Sequence, residues 1–390
     1  MRIAFVHNVC TYYTQKTLEL FAGYYDVDYY FHSTGDEWYW QKEHGIQTGD
    51  FQHEYLWGFK IGRTRITPTL IFKLWRIKYN IYLCSIAGRF ALPMTYLIAR
   101  IKRKPFILWT GIWQRLMSRY HRLLFPVVRY IYRHADAVVV YGSHVKRYLQ
   151  SEGVKADNIF IANHAIDNTN YNYLVPEAEK RALRKGLNIK EGQKVILYLG
   201  RLEEVKGLHY LIEAFTSLKP KDTVLVIAGT GSQRSFLEQL AKEKGIADKV
   251  RFPGYVPQVE CVAYYANAWV YVLPSITTSV SKELWGLVVN EAFNQGVPVI
   301  TTEAVGAAAG GLVQDGINGF IVPEKNSKEL ADAIKKILKD DELHAQLSQN
   351  AREIISEWTQ ERMVEGFKQA IEYVTNQWIR KNSSHSIPQE

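Results

Sequence analysis

The chain has 390 residues, 47% of them hydrophobic and 22% charged, with 26 Gly and 12 Pro. Those proportions fit a folded chain of two or three domains and exclude wholesale disorder, a collagen-like repeat and a small disulfide scaffold. The formal charge of +9 is uneven: residues 1–170 hold 22 Lys/Arg against 12 Asp/Glu, and residues 171–390 hold 26 against 27.

Cys10, Cys84 and Cys261 are far apart and share no metal-type or Cys-x-x-Cys spacing, as expected of a reduced intracellular chain. The opening apolar run, Met1 to His7, is too short for a secretory signal and reads instead as a buried strand over Arg2–His7. A helix near Gln15–Tyr24 and a strand over Asp26–Phe31 follow. From Tyr55 to Ala135 there are 16 Lys/Arg and no Asp or Glu, and Trp57, Trp75, Trp109 and Trp113 lie in the same stretch. A helix over Trp113–Arg133 would place Arg115, Arg119, Arg122, Arg129 and Arg133 in an arc of about 80°. The apolar set Leu116, Met117, Leu123, Leu124, Val127, Val128 and Ile131 would then lie opposite, with Pro126 as a kink. A solvated helix face would give this pattern, and so would a surface that meets anionic lipid. No nucleic-acid motif accompanies it.

Strands are predicted at Pro105–Trp109, Ala137–Tyr141 and Asn158–Ala162, and the polar stretch Asn163–Asn172 reads as a linker. Beyond it, strands at Lys194–Leu199, Thr223–Ala228, Val250–Phe252, Trp269–Leu273 and Val297–Thr301 alternate with helices at Lys206–Leu218, Gln233–Lys244, Val259–Ala266, Leu287–Asn294 and Ser327–Leu338. Val/Ile-rich strands alternating with helices predict an α/β fold of two Rossmann-like, doubly wound domains facing a central cleft. The predicted domains are 1–165 and 173–355, with a C-terminal helix in 356–380 packing back towards the first domain and a disordered tail at 381–390. No segment reaches the roughly 20 apolar residues of a membrane span, since the longest candidate run, Cys261–Ser281, contains Asn267 and Pro274.

In open α/β sheets ligands sit at the carboxyl ends of the strands. The loop after the first strand of the second domain reads Gly200-Arg201-Leu202-Glu203-Glu204-Val205-Lys206-Gly207. Its two cations and a helix start at Lys206 could hold a diphosphate, although a surface turn with incidental charge would look the same. Gly229-Thr230-Gly231 lacks the third Gly of a dinucleotide fingerprint and fits a tight turn with close backbone approach. Glu283 and Glu291 flank Leu284-Trp285-Gly286-Leu287-Val288-Val289-Asn290. Eight steps of ~100° leave the two acids about 80° apart on one side of a helix beginning near Gly286. Two parts of one ligand would be in reach, with the amides of Gly286 and Leu287 aimed at phosphate between them.

Together, Gly200-Arg201-Leu202 with Lys206-Gly207, Phe252-Pro253-Gly254-Tyr255-Val256, Glu283-x7-Glu291 running into Ala292-Phe293-x-x-Gly296-x-Pro298-Val299-Ile300, and Asp315-Gly316-x-Asn318-Gly319 resemble the retaining glycosyltransferases of family 4, which have the GT-B fold. The resemblance covers about 200–323 and is weak across the first domain. It implies that Arg201 and Lys206 hold the donor diphosphate with Gly200, Gly229 and the amides of Gly286 and Leu287. It further implies that Glu291 takes the ribose hydroxyls, Glu283 the transferred sugar, and Tyr255 and Val256 the base. Arg201, Lys206 and Glu283 form the catalytic set on this reading. No cofactor or metal is implied, and a uridine diphosphate sugar is favoured over a guanosine one as co-substrate. Asp26-Val27-Asp28 looks like the metal-holding motif of the other major glycosyltransferase fold, but its place at a strand start reads as surface.

The first domain departs from the family pattern. His7-Asn8-Val9-Cys10-Thr11-Tyr12 stands where a Gly-rich loop is common, and Trp109-Thr110-Gly111 where a His is often found. Gly311 replaces a commonly acidic position. His7, Asn8, Trp109 and Thr110 are therefore acceptor-side candidates, with a packed core role an equal alternative for His7 and Trp109. The function expected is a retaining, metal-independent glycosyltransferase acting on a lipid-linked or oligosaccharide acceptor in bacterial surface polysaccharide biosynthesis. It would be cytoplasmic and peripheral at the inner face of the cell membrane, with an anionic membrane surface as partner and no nucleic acid. A nucleotide-sugar epimerase of the same fold, or an inactive nucleotide-sugar-binding scaffold, are the alternatives.

Overall fold

The computed structural model describes residues 1–33, 47–62, 64–86, 88–115, 117, 119–219 and 221–383. The chain divides into two compact units, Met1–His164 together with the stretch from Gln360, and Ala165–Thr359. In the first unit the elements run β1 (Arg2–His7), α1 (Tyr12–Tyr24), β2 (Asp26–Phe31), β3 (His53–Tyr55), β4 (Phe59–Ile61), β5 (Thr64–Ile66), α2 (Pro68–Arg76), β6 (Ile81–Ser85), α3 (Ala91–Ile101), β7 (Phe106–Thr110), α4 (Arg119–His134), β8 (Ala137–Val140), α5 (Ser143–Ser151) and β9 (Ile159–Ile161). The second unit holds α6 (Glu177–Gly186), β10 (Lys194–Leu199), α7 (Leu208–Leu218), β11 (Thr223–Ala228), α8 (Arg234–Glu243), β12 (Val250–Gly254), α9 (Gln258–Ala266), β13 (Val270–Leu273), α10 (Val288–Asn294), β14 (Val299–Thr302), α11 (Gly306–Ala309), β15 (Gly319–Val322), α12 (Ser327–Lys339) and α13 (Asp341–Ser356). The last helix, α14 (Gln360–Ser383), returns to the first unit.

Each unit is built on a parallel sheet, ordered β3-β2-β1-β6-β7-β8-β9 in the first and β12-β11-β10-β13-β14-β15 in the second. In the first unit α2, α3, α4 and α5 cover one face through Leu70, Leu74, Leu92, Ile98, Ile131, Tyr132, Val145 and Leu149. The other face is covered by α1 and α14 through Leu18, Phe21, Met363, Phe367 and Ile371. Strands buried on both faces need apolar residues throughout, which is why Val224, Leu225, Val226 and Ile227 of β11 run without alternation. Side chains fix the starts of α1 and α13: Thr11 and Thr14 cap α1 reciprocally, and Asp340 accepts from the Leu343 amide at 2.9 Å to start α13. Strand order reverses between β1 and β6 and again between β10 and β13, leaving a crevice beyond the carboxyl ends at each point.

Several sequence expectations change. The stretch read as a linker, Asn163–Asn172, contains the boundary between the units, after His164, and its later part is packed into the second unit: Asn168 donates from Nδ2 to the carbonyls of Ile355 and Trp358 and accepts from Asn294 at 2.9 Å. The strands β3, β6 and β15 and the hairpin β4–β5 were not predicted, and the expected disordered tail begins within the described α14 and ends outside the described residues. Asp28 is not a surface residue: it is 6% exposed, accepting from the Tyr79 hydroxyl at 2.6 Å and pairing with Arg2 at 2.8 Å.

The arginine helix begins at Arg119, six residues later than expected, and its apolar side does not all face the core. Ile131 and Tyr132 are buried, whereas Leu123 is 76% exposed and Met117 and Val127 are also exposed. None of the described side chains between His121 and Val127 is buried. Arg129 and Arg133 are not free cations, since Glu152 pairs with Arg129 at 3.0 Å and its carbonyl accepts from Arg133 Nε at 2.7 Å. Arg115 lies over the Phe125 ring and Arg122 is exposed, while Leu116 and the side chain of Arg119 lie outside the described residues.

Candidate functional site

Two loops meet at the switch point of the second unit. The loop leaving β10 runs from Gly200 through a 3-10 turn at Glu204–Lys206 to Gly207, and α7 starts at Leu208. Lys206 thus ends that turn instead of opening the helix as expected. The loop leaving β13 crosses it, with the Ile276 amide donating to the Val205 carbonyl at 2.8 Å. Gly207 lies at the crossing with φ +61°, and a Cβ there would be 2.2 Å from the Pro274 carbonyl oxygen. Only glycine fits both the conformation and the approach.

This crossing brings Lys206 to Glu283. The Lys206 ammonium donates to Glu283 Oε2 as an ion pair, and Ser275 Oγ donates to the same oxygen at 3.1 Å. Only 11% of the lysine and 15% of the glutamate side chain is exposed. Burial pushes the Glu283 carboxyl up, but Lys206, then Arg201 and Ser275, outweigh it and hold the group below its usual range. Glu283 is an ionised group that can only accept hydrogen bonds.

The Gly229-Thr230-Gly231 turn after β11 backs this loop. A Cβ on Gly229 would lie 1.9 Å from the Gly200 carbonyl oxygen, and the Leu202 amide donates to the Thr230 carbonyl at 2.8 Å. The glycines serve backbone crossing, as their spacing suggested. Tyr255 and Val256 follow β12, Tyr255 half-buried and Val256 buried. Gly286 has φ +92°, and its carbonyl accepts from the Val289 amide, so Gly286 and Leu287 form the entry to α10.

Glu291, the fourth residue of α10, is 5% exposed, and its Oε2 accepts from the Tyr265 hydroxyl of α9 at 2.7 Å. Burial raises the Glu291 carboxyl to about 7, against a smaller lowering by hydrogen bonds from Tyr265 and Tyr171. Tyr265, Tyr171 and Ser275 were not singled out from the sequence. Tyr265 lies in the uncharged run after Cys261, and only the packing of α9 on α10 shows its role. Trp285 Nε1 donates to Asn290 Oδ1 at 2.9 Å, and the Trp285 ring stacks near Trp358 at 5.9 Å, fixing the turn between the two acids. The Asp315-Gly316-x-Asn318-Gly319 motif is a turn feeding β15, where Asp315 Oδ1 accepts from the Ile321 amide at 2.8 Å and Asn318 bridges Gln314 and Leu312.

The acceptor-side candidates lie at the ends of β1 and β7 in the first unit. His7 packs on Trp109 with ring centroids 5.1 Å apart, and Trp109 also meets Phe367 of α14. Burial, then the charges of His32 and His164, hold the His7 imidazole at about 3, so it is neutral. Trp109 is 2% exposed and belongs to the core, and Thr110 accepts from the Ile112 amide at 3.1 Å. Asn8 is half-buried, its carbonyl accepting from the Ser33 amide at 2.8 Å. Of the two readings left open for His7 and Trp109, the packed core is the one the structure displays. Among the described residues, no group of three or more His, Cys, Asp or Glu is placed to hold a metal ion.

The sequence model of the family described as Glycosyl transferases group 1 matches residues 179–354. The chain is 30% identical over 202 residues to an uncharacterised glycosyltransferase of Methanocaldococcus jannaschii, covering 52% of this chain and 50% of that protein. It is 30% identical over 189 residues to a lipopolysaccharide core biosynthesis glycosyltransferase of Rhizobium meliloti, covering 48% and 52%. The matched stretch spans about half the length of these curated relatives. Among solved structures, Anabaena HepE in complex with UDP superposes with a TM-score of 0.75 at 20% identity, covering 95% of this chain and 100% of that one. The second unit of this chain is therefore a group 1 glycosyl transferase domain, in keeping with the family 4 resemblance of its motifs, and the chain has the fold of the GT-B glycosyltransferases.

Proposed function

We propose that this protein is a retaining, metal-independent hexosyltransferase. It moves a sugar from a nucleotide diphosphate, uridine diphosphate being favoured, to a saccharide acceptor carried on lipid, in the building of a bacterial surface polysaccharide. The observation that carries the reading is the convergence of Lys206, Glu283 and Ser275 at the β10–β13 switch point, with the Arg201 charge acting on the same carboxylate. HepE was crystallised with UDP-glucose, and the Rhizobium meliloti relative is named for lipopolysaccharide core synthesis, which supports the donor and acceptor classes.

The chemistry follows from the charges. Breaking the bond between the sugar C1 and the phosphate oxygen leaves an oxocarbenium-like sugar and sends the electron pair to the diphosphate. Arg201 and Lys206, with the amides of Gly286 and Leu287, would hold that growing negative charge in a preorganised setting. Arginine suits the task because its forked donors match phosphate oxygens. A diphosphate that takes over the Lys206 ammonium frees Glu283 to accept from hydroxyls of the transferred sugar. Glu291 would take the ribose hydroxyls, and the backbone at Tyr255 and Val256 the base. The acceptor hydroxyl attacks from the face the diphosphate leaves, and its proton passes to the departing phosphate oxygen. Glu283, whose carboxyl is held below its usual range, is a weak proton acceptor, and the departing phosphate oxygen makes a protein base unnecessary.

No described helix is long and apolar enough to cross a membrane. A lipid-linked acceptor would be met from the side, at the inner face of the cell membrane. The test is turnover of uridine diphosphate sugars with saccharide acceptors, with the new linkage read by proton NMR. The expected product keeps the anomeric configuration of the donor. An inverted product contradicts the retaining assignment, mass-neutral conversion of the donor identifies an epimerase, and donor binding without transfer or hydrolysis identifies a scaffold.

A further inference from the structure

We propose that the hairpin β4–β5, the helix α2 and the outward sides of α3 and α4 form one docking surface for an anionic membrane, with Trp57, Phe72 and Trp75 entering the lipid interface. The inference deepens the membrane-side reading above and rests on it for the choice of partner.

Helix α2 is apolar on two sides. Leu70 and Leu74 are 0% exposed in the core of the first unit, while Phe72 and Trp75 are 57% and 54% exposed and Ile71 lies beside them in the sequence. A short helix in water normally turns polar residues outward. The hairpin continues the same character: Trp57 is 66% exposed, Phe59 and Ile61 are exposed, and the Trp57 and Phe59 rings lie 6.0 Å apart. The Thr69 hydroxyl donates to the Trp57 carbonyl at 3.1 Å, which ties the hairpin approach to the first turn of α2.

The helices α2, α3 and α4 cover the same face of the sheet through one shared core, and α3 contacts both of the others. Their outward residues therefore share a side. There α3 presents Leu97 and Ile101, and α4 presents Leu123, Val127 and Tyr130. Single exposed apolar residues are ordinary, but a run of them across three helices and a hairpin marks an interaction surface.

Charge selects the partner. No Asp or Glu occurs between Tyr55 and Ala135, against 16 Lys/Arg. The acids flanking this stretch are already engaged, Glu54 with Lys73 at 2.7 Å and Asp136 with Arg100 at 2.9 Å, and Glu152 further on pairs with Arg129 at 3.0 Å. Arg76 lies over the Phe72 ring at 5.4 Å, so cation and aromatic are presented together. Aromatic and aliphatic groups that can enter an acyl boundary, with cations in excess around them, match an anionic lipid interface. Nucleic acid would be served by the cations but offers no apolar phase for Ile61, Leu123 and Val127.

The test is sedimentation of the full chain with phosphatidylcholine vesicles and with vesicles containing phosphatidylglycerol, at low and high salt. It is run on the wild type and on the triple variant Trp57→Ala, Phe72→Ala, Trp75→Ala. The wild type should bind the anionic vesicles preferentially, bind less at high salt, and lose about tenfold or more in partitioning in the triple variant. The stabilisation by uridine diphosphate is measured on the same samples and should be unchanged, which separates this surface from the donor site. Equal binding to both vesicle types, or an unaltered triple variant, overturns the proposal. A wild-type dimer that the triple variant abolishes assigns the surface to self-association and overturns it as well.

Discussion

The Tyr265 hydroxyl of α9 donates to Glu291 Oε2 of α10 at 2.7 Å, and both side chains are buried. The neutral donors Tyr265 and Tyr171 stabilise the carboxylate less than burial destabilises it, so the group rises from its ordinary 4.5 to about 7. The carboxyl assigned to the donor ribose thus changes charge near neutral pH.

This gives a pH-dependent stability of definite sign. A carboxyl whose folded value lies above its unfolded value favours the fold below about 4.5, and that contribution is lost as pH rises through about 7. Glu291→Gln, which cannot ionise, should gain stability relative to wild type between pH 5 and pH 8, by about 1–3 kcal/mol. Melting temperatures across that range read the effect. The same variant should bind uridine diphosphate about tenfold more weakly, because an ionised acceptor of hydroxyl hydrogen bonds is gone. A constant difference in melting temperature at every pH would contradict the assignment.

Glu283 behaves oppositely. Its carboxyl is held below the usual range, so it contributes stability above its unfolded value of about 4.5 that is lost as pH falls through its lowered folded value. The wild type should therefore lose stability more steeply in acid than Glu283→Gln, as read by acid titration of the circular dichroism signal. Turnover by Glu283→Gln should fall by about a hundredfold or more, since the ionised partner of Lys206 and the proposed acceptor for sugar hydroxyls are both removed.

The loop crossing at Gly207 gives a purely steric prediction. Gly207→Ala combines φ +61° with a contact 2.2 Å from the Pro274 carbonyl oxygen, and should cost about 2–4 kcal/mol as well as donor binding. Gly23→Ala, inside α1 with nothing within 4 Å, should stabilise by about 0.5–1 kcal/mol. Denaturant titrations of the two variants should shift in opposite directions.

Strands buried on both faces were readable because burial demands uninterrupted apolar residues. The predicted bounds of Arg2–His7, Lys194–Leu199 and Thr223–Ala228 coincide with β1, β10 and β11, and those of Asp26–Phe31 coincide with β2 despite its two Asp. The strand β6, Ile81-Tyr82-Leu83-Cys84-Ser85, was not predicted although all five residues are buried, and its pairing with β1 and β7 defines it. The charged groups that the fold brings together, Lys206 with Glu283 and the charge of Arg201, were legible because their residue types declare charge. Tyr265 and Ser275 were not, because their hydrogen bonds exist only once α9 packs on α10 and the loop after β13 crosses the loop after β10. Periodicity also misplaced the apolar side of α4, as it reports that residues share a side but not whether core or another phase receives them.

The central claim is that Arg201 and Lys206 grip a donor diphosphate. Calorimetric titration of uridine diphosphate into the wild type, Arg201→Ala and Lys206→Ala, with unliganded melting curves as the fold control, tests it most directly. The account predicts measurable binding by the wild type and a loss of about tenfold or more in each folded variant. Wild-type affinity in both variants would contradict it.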